Sequence, residues 1–399
     1  MDVILVLNAG SSSIKFAVFA AEPSAAAGNG ELLRGQIDGI GDQPRFRAKA
    51  PDGTVVGDEM PDLGSATADD SPHERGIRSL LDFIERFDAT LSVRAVGHRV
   101  VHGGPDFALP LRLDEAAMAA LDEFVPLAPL HQPHNLAGVR AAMRAFPGAD
   151  QVACFDTAFH RRQPWVADTF ALPRQLYAEG VRRYGFHGLS YDYVSGYLRQ
   201  SHPELAAGRV VIAHLGNGAS LCAVHDGRSV GSTMGFTAVD GMPMGTRTGQ
   251  LDPGVILYLL DEKGLSAREI ETLIYKESGL LGLSGISGDW RLLEEAGEGP
   301  AREAMAYFTY RALREIGGLA AGMGGMDALV FTAGIGENAA GLRADIGAGL
   351  AWLGVEIDQA ANDEGREIIS TSASKIAVLV VRTDEESVIA EHTGALLKA

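Results

Sequence analysis

The stretch VLNAGSSSIKFAVF, residues 6–19, decides how the chain is expected to fold. Two apolar runs flank a turn of small polar residues, Asn8 to Ser13, and Lys15 is the single charge in the second run. This pattern is typical of a β-hairpin. The turn is rich in groups that could hold a phosphate. However, the chain contains neither the Gly-Lys of a Walker A loop nor a Gly-x-Gly-x-x-Gly motif, so those two common nucleotide sites are excluded.

A second stretch, GRVVIAHLGNGASLCAVHDG at residues 208–227, has the same order of apolar strand, glycine-containing polar turn and apolar strand. Helical patterns follow strand patterns in both halves of the chain, which suggests a duplicated α/β unit, with chance similarity as the alternative. The apolar periodicity predicts helices over residues 73–87, 114–124, 133–146, 253–262, 267–275, 300–323, 338–350 and 385–397.

Length and charge limit the classes of protein to which the chain can belong. Its 399 residues predict two domains, and a net charge of −18 disfavours binding to nucleic acid or to an anionic membrane surface. Cys154 and Cys222, the only cysteines, lie in apolar runs and are expected to be reduced core residues of a cytoplasmic protein. No segment resembles a secretory signal or an 18-residue membrane span.

Three glycine-rich turns are candidates for anion binding: residues 8–13, 214–220 and 331–341. Small side chains let phosphate oxygens approach the backbone N–H groups closely. In the third turn, Gly334-Ile335-Gly336 leads from a strand into a predicted helix, which would offer a positive helix end. Each turn taken alone could be an ordinary tight turn.

Isolated charges lie in unusual surroundings. Arg99 lies on or just past an apolar strand, and Arg247 lies in a Gly/Met/Thr loop, so each guanidinium requires an anion from a ligand or from a structural ion pair. Asp156 follows the strand 151–155, where α/β enzymes place catalytic groups, although it would also suit a helix N-cap. His187, in a Gly-flanked loop after two arginines, could donate to an anion.

The histidines also raise the possibility of a zinc site. His98 and His102 are four residues apart, and His131 and His134 form a His-x-x-His pair. In a strand, residues four apart point the same way but lie about 13 Å apart, so the sequence does not favour zinc.

The segments VLNAGSSSIKF and GHRVVHGG closely resemble the two signature segments of the acetate kinase family. APLHQPHN, FDTAFH, RRYGFHG, HLGNGAS, GTRTGQLDPG, FTAGIGEN and RTDEE resemble its other motifs in the same order, over essentially the whole chain. The resemblance implies an α/β fold of two similar actin-like (ribonuclease-H-like) domains around a central cleft. These would be residues 1–156, with the helix 387–399 packing back on them, and residues 157–386, which would bind nucleotide.

The resemblance also implies site residues, position by position. Asp156, His187, Arg247 and His131 would be the catalytic residues. Arg99 would bind the substrate carboxylate, and an acyl pocket would be lined by Val101, Leu130, Phe186 and Ala238. The magnesium site would involve Asn8 and Glu385. The implied ATP contacts are Ser11, Ser13, Lys15, His214, Leu215, Gly216, Asn217, Gly218, Asp289, Trp290, Arg291, Gly334, Ile335, Gly336, Glu337 and Asn338.

By this resemblance the chain would phosphorylate acetate reversibly with ATP and Mg²⁺, with Mn²⁺ as an alternative metal and without zinc or NAD, and it would form a homodimer. A kinase for propionate or another short-chain acid, and an actin- or chaperone-like ATPase, are the alternatives. The sequence departs from the family pattern in three segments. Leu189-Ser190-Tyr191 replaces Thr-Ser-His, Gln132 replaces Asn, and Ala238 stands where Pro is common in the acyl pocket.

Overall fold

The computed structural model describes residues 1–9, 13–22, 30–40, 44–61, 72–128 and 131–398, without the side chains of residues 72 and 73. The chain divides into two compact units. Unit 1 consists of Met1–Ala158 with Asp384–Ala399, and unit 2 consists of Phe159–Thr383. These bounds differ by a few residues from the division expected from the sequence, and they assign Glu385 to unit 1 rather than unit 2.

Unit 1 contains an eight-stranded sheet among its described residues, in the order β5-β4-β3-β2-β1-β6-β8-β7. Strands β1 to β5 form an antiparallel meander, whereas β6 and β8 run parallel to β1. The bounds are β1 Asp2–Ala9, β2 Ser13–Ala20, β3 Glu31–Asp38, β4 Arg45–Lys49, β5 Val55–Glu59, β6 Ser92–Val100, β7 Leu111–Arg112 and β8 Asp150–Phe155.

The described residues of unit 2 form a five-stranded sheet in the order β11-β10-β9-β12-β13. The strands are β9 Arg209–Leu215, β10 Ala219–His225, β11 Arg228–Ser232, β12 Ala328–Thr332 and β13 Ala377–Val380. Three antiparallel strands followed by two parallel ones repeat the arrangement β3-β2-β1-β6-β8 of unit 1. The two hairpins matched in the sequence, β1–β2 and β9–β10, therefore occupy the same place in the two sheets.

Helices connect and cover these strands. Their bounds are α1 Pro72–Phe87, α2 Glu115–Asp122, α3 Gln132–Ala145, α4 Trp165–Asp168, α5 Arg174–Ala178, α6 Gly188–Ser201, α7 Pro203–Ala206, α8 Pro253–Asp261, α9 Ala267–Lys276, α10 Gly279–Ser284, α11 Trp290–Ala296, α12 Gly299–Gly322, α13 Ala333–Asn338, α14 Ala340–Gly349, α15 Gln359–Asp363 and α16 Glu385–Leu397. None of the helices in the described ranges has the length and apolar character needed to cross a bilayer.

Helix α6 is missing from the helices that the sequence predicts, which include none between residues 146 and 253. Its buried residues Tyr191, Val194 and Leu198 recur at helical spacing and pack on β9 and β12 of unit 2. The polar and glycine residues around them hid this period in the sequence. Segment 334–338 also differs, because it is already helical in α13 instead of preceding a single helix over 338–350.

The acid stability of the fold should depend on two buried imidazoles, one in each unit. Burial lowers the pKa of His98 and of His160 to about 4, against an ordinary value near 6.5. The unfolded chain therefore binds protons first as the pH falls, and stability contributed by the neutral rings is lost between about pH 6.5 and pH 4.

We expect the free energy of unfolding of His98→Gln to fall less steeply than that of the wild type between pH 6.5 and 5. Urea titrations of both proteins at several pH values measure this difference. Equal slopes would mean that His98 takes up its proton in the folded state.

Candidate functional site

Three parallel strands of unit 1 end at the same edge of the sheet, and each carries a residue expected in the site. Asn8 lies near the end of β1, Arg99 lies near the end of β6, and Asp156 directly follows β8. The carboxyl ends of parallel strands are where open α/β sheets bind ligands. The fold therefore brings together residues that are far apart in the sequence.

Arg99 is at the centre of this cluster. Its Nε donates to Asp156 Oδ1 at 3.0 Å, its Nη2 donates to Asp156 Oδ2 at 2.5 Å, and its Nη1 donates to Asn8 Oδ1 at 3.2 Å. Burial by itself lowers the pKa of Arg99, but the charges of Asp156 and Glu385 raise it above its ordinary value. The guanidinium has five N–H donors, and these contacts with described residues engage three. Within the described ranges no hydrogen bond engages the other two donors.

Asp156 itself is 1 % exposed, and its backbone N–H donates to Val100 O at 3.1 Å. The carboxylate is held between its own strand end and Arg99. The sequence left open whether Asp156 caps a helix, and the structure instead pairs both carboxylate oxygens with one guanidinium.

Glu385 joins the cluster from the first turn of α16, which packs on β1 and β6. Its Oε2 lies 3.9 Å from Arg99 Nε. Burial raises the pKa of Glu385 to about 7, although the charge of Arg99 opposes this shift. Lys15 stands opposite Asn8 in the β1–β2 register and its charge also reaches Glu385.

Helix α3 fixes the backbone around this edge. Asn135 accepts from Val101 N at 3.0 Å and donates to Ala9 O at 2.7 Å, so one buried amide joins two strand ends. Gln132 pairs with both backbone groups of His102, at 3.2 and 3.0 Å. The departure at position 132 is therefore a buried structural contact. His131 directly precedes α3 as its N-cap residue.

The zinc alternative receives no support from the ring contacts. His98 Nε2 bonds Gln151 Oε1 at 2.8 Å, and His102 Nδ1 accepts from Gly104 N at 2.9 Å. Within the described ranges, no three His, Cys, Asp or Glu side chains form a group able to hold a metal ion.

In unit 2, His187 precedes α6 in a left-handed backbone conformation with φ 58°. Such a conformation is strained for a residue with a Cβ and is common at functional sites. Its Nδ1 bonds Ser220 Oγ at 2.9 Å, and its ring stacks on His214 with centroids 4.1 Å apart. His214 Nδ1 in turn bonds Ser190 Oγ at 2.8 Å.

His187 and Arg247 converge on one point of the second glycine-rich turn. A Cβ added to Gly218 would lie 3.2 Å from His187 Nε2 and 3.9 Å from Arg247 Nη1. The loop carrying Arg247 is tied to the same turn, because Gly245 N donates to Asn217 O at 3.0 Å. Only glycine fits at 245, since a Cβ there would lie 2.0 Å from Asn217 Oδ1. Arg247 Nη1 also donates to Ala238 O at 3.0 Å.

The predicted ATP segments of unit 2 share one cavity of about 660 Å³. This volume suits a small organic ligand. Segments 214–218, 289–291 and 334–338 all contribute to its wall. The lining residues are Gly216, Asn217, Gly288, Asp289, Trp290, Arg291, Glu294, Gly334, Ile335, Asn338 and Ala339.

Two side chains, Glu337 and Arg343, hydrogen-bond to the backbone of the third glycine-rich segment. The sequence analysis did not assign this structural role to either of them. Glu337 accepts from Ala333 N at 2.9 Å, where Ala333 has φ 65°. Arg343, 1 % exposed, donates to Gly336 O at 3.0 Å and to Glu337 O at 2.9 Å. Glu337, an expected ATP contact, therefore stabilises the loop with its carboxylate.

Three of the four expected acyl-pocket residues are described. The fourth, Leu130, lies outside the described residues, as does Ser11, an expected ATP contact. Val101 is buried in unit 1, whereas Phe186, whose carbonyl accepts from His160 Nε2 at 3.0 Å, and Ala238 belong to unit 2. Ser220, Ser190, Tyr191 and Asn135 support the site and were missed as contacts, because each acts on a residue that is distant in sequence.

Comparison with known proteins identifies the family of the chain. The family model described as "Acetokinase family" matches residues 3–391. The acetate kinase of Nitrobacter hamburgensis is 53% identical over 402 residues, covering 100% of this chain and 96% of its own length. The acetate kinase of Rhizobium meliloti is 50% identical over 399 residues, covering 100% and 99%.

Solved structures give the same result. A propionate kinase from Francisella tularensis superposes with a TM-score of 0.88 at 36% identity, covering 99% of this chain and 100% of its own. The acetate kinase of Porphyromonas gingivalis superposes with a TM-score of 0.86 at 37% identity, covering 100% of both chains. The resemblance seen in the sequence motifs is thus confirmed, and the chain belongs to the acetokinase family.

Proposed function

We propose that the chain transfers the γ-phosphoryl group of ATP to acetate, giving acetyl phosphate and ADP reversibly. An acetate oxygen forms the new bond to phosphorus as the bond from phosphorus to the ADP oxygen breaks, in line. The observation that carries the proposal is the convergence of His187 Nε2 and Arg247 Nη1 on Gly218, in a turn whose Gly216 and Asn217 line the 660 Å³ cavity.

Charge neutralisation is the main task of such a site, since both reactants are anions. His187 and Arg247 would donate to the equatorial oxygens of the transferring group, where each preorganised donor is worth about 10²–10³-fold in rate. Arg99 would bind the acetate carboxylate with its two remaining N–H donors. Asp156 would orient Arg99; it is not needed as a proton acceptor, because acetate carries no proton at pH 7.

Asn8 and Glu385 fit a magnesium site by the chemistry of their donor atoms. An amide oxygen and a carboxylate, both within 4 Å of Arg99, are the hard oxygen ligands that Mg²⁺ prefers, with water completing its shell. The bound cation would neutralise phosphate charge. The raised pKa of Glu385 is that of the metal-free protein. A neighbouring cation would lower this pKa and favour the ionised carboxylate.

The ATPase alternative and the choice of acid are decided by one assay. Purified protein with Mg-ATP and a panel of C2–C4 acids should yield acyl hydroxamate when hydroxylamine traps the product. ATP hydrolysis that is indifferent to added acids would instead support an actin- or chaperone-like ATPase.

Ala238 makes propionate a second substrate in this proposal. Its carbonyl is held by Arg247 at 3.0 Å, which opposes inward collapse of the loop, while its side chain lacks the ring carbons of proline. One methylene in an apolar pocket is worth about tenfold or more in discrimination. We expect kcat/KM for propionate to lie within about tenfold of that for acetate.

The Ala238→Pro variant keeps the carbonyl and should reduce propionate turnover by about tenfold relative to acetate. The KM for ATP serves as the control and should not change. An unaltered ratio of the two acids would show that residue 238 does not limit the pocket.

We also propose a cytoplasmic homodimer. Helix α8 presents Val255, Leu257, Tyr258 and Leu260 at 38–59 % exposure, and such an apolar face suits burial against a second copy. Both cysteines are buried, and burial raises the pKa of the Cys222 thiol to about 12, as expected for an inert thiol of a reducing compartment. Sedimentation equilibrium of the purified chain tests the dimer.

A further inference from the structure

We propose that Tyr191 is a positioning residue that acts through Ser220 to fix the tautomer of His187, with the ring proton on Nε2 facing the phosphate-binding turn. The inference rests on the function proposed above for His187. Its evidence is a continuous chain of hydrogen bonds in the described part of unit 2, from Tyr191 Oη to Ser220 Oγ to His187 Nδ1.

The geometry of this chain follows from two elements. Ser220 stands directly opposite His214 in the β9–β10 register, and His187 stacks on His214, so Nδ1 of His187 comes within 2.9 Å of Ser220 Oγ. Tyr191 lies in the first turn of α6, after His187, and reaches the same oxygen. Both Tyr191 and Ser220 are completely buried.

The proton positions follow from counting donors. Burial raises the pKa of Tyr191 well above its ordinary value, so its hydroxyl keeps its proton. Within the described residues that proton points to Ser220 Oγ, since a buried donor left without an acceptor would be costly. Ser220 is buried as well, so its own single proton also needs an acceptor, and among the described residues His187 Nδ1 is the acceptor within hydrogen-bond distance. The neutral imidazole therefore carries its proton on Nε2, the atom that lies beside Gly218.

Ser190, the residue before Tyr191, makes an equivalent contact with the second ring of the stack, that of His214. Ser190 bonds Nδ1 of His214, whose ring is stacked on that of His187 with an interplanar angle of 18°. Ser190 and Tyr191 thus each act on the Nδ1 atom of one ring of the stack, Ser190 directly and Tyr191 through Ser220. Two imidazoles stacked at 4.1 Å would repel each other if both were charged, so double protonation of the stack is disfavoured.

The test is Tyr191→Phe, which removes the hydroxyl and keeps the ring that packs edge-on against His160. We expect kcat to fall about tenfold, the loss of one buried hydrogen bond, with the KM values for acetate and ATP unchanged. Tyr197→Phe is the matched control: the same substitution on the same helix removes an exposed hydroxyl that bonds Glu367, and kcat should stay at the wild-type value.

A double-mutant cycle separates positioning from packing. In a Ser220→Ala background Tyr191→Phe should have no further effect on kcat, because the intermediate oxygen is gone. A tenfold loss that persists in that background would overturn the proposal, as would a wild-type kcat in Tyr191→Phe.

The tautomer itself is read from the ¹⁵N chemical shifts of the His187 ring, which need no turnover. The wild type should show a protonated Nε2 and an unprotonated Nδ1, and Tyr191→Phe should show a mixture of the two tautomers. Identical ring shifts in both proteins would contradict the proposal even if the chain phosphorylates acetate. The expected shifts without acyl phosphate formation would leave the tautomer assignment standing and reject the proposed function.

Discussion

Replacing Arg247 by alanine is expected to lower kcat about 10²–10³-fold, with much smaller changes in the KM values for acetate and ATP. The reason is position: Arg247 Nη1 and His187 Nε2 lie 3.9 and 3.2 Å from the same point above Gly218. In the proposed reaction both groups would contact the transferring phosphoryl group, whose spread charge exists fully only in the transition state. Steady-state kinetics in the direction of acetyl phosphate synthesis measure the effect.

Two further variants isolate the charge from the scaffold. Arg247→Gln keeps a polar side chain of similar stem at this position without the charge, and it should lose nearly as much kcat as the alanine variant. Arg291→Ala is the control, since Arg291 is 83% exposed, pairs with Asp289 and borders the nucleotide cavity. It should raise the KM for ATP a few-fold at most. A large rise in the KM for ATP at unchanged kcat in Arg247→Ala would assign Arg247 to nucleotide binding instead.

The fold was predictable from the sequence where local pattern and packing agree. The hairpins β1–β2 and β9–β10 show alternating glycine turns and apolar runs, and the helix over 385–397 has the bounds that its pattern predicts. Helix α6 was missed because its buried face includes Gly188, Ser190 and Ser195, which carry no hydrophobic signal. Its burial is decided by the sheet of unit 2 and by contacts to histidines, which no local window contains.

The site was predictable in its parts and not in its connections. The sequence indicates that Arg99 and Asp156 are unusual, but nothing in it says that they pair with each other, since this depends on β6 and β8 being adjacent and parallel. The link between Tyr191 and Ser220 likewise depends on α6 packing on β9, the strand that pairs with β10.

Arg99→Ala is expected to have the second large effect, on both substrate affinity and stability. Loss of the two N–H donors assigned to acetate should raise the KM for acetate far more than that for ATP, with kcat/KM for acetate falling about 10²–10³-fold. The same change leaves Asp156 buried without its bidentate partner and removes the guanidinium that lies 3.9 Å from Glu385, whose remaining cationic neighbour among the described residues is Lys15. Removing one partner of a buried pair costs about 3–5 kcal/mol, so the midpoint of urea unfolding should fall clearly. Arg112→Ala, which breaks the exposed pair with Asp150, should cost less than about 1 kcal/mol.

The double variant Arg99→Ala/Asp156→Asn separates these two consequences. A neutral amide at position 156 no longer needs a cation, so much of the lost stability should return, while the KM for acetate should stay as high as in Arg99→Ala. Recovery of both quantities would mean that Arg99 only compensates Asp156 and does not bind the acid. Recovery of neither would mean that the carboxylate of Glu385, 3.9 Å from Arg99 Nε, dominates the cost, because it would then be the remaining uncompensated charge. Adding Glu385→Gln to the double variant tests this explanation. The third substitution should restore stability if the Glu385 carboxylate dominates the cost, and should not restore it otherwise.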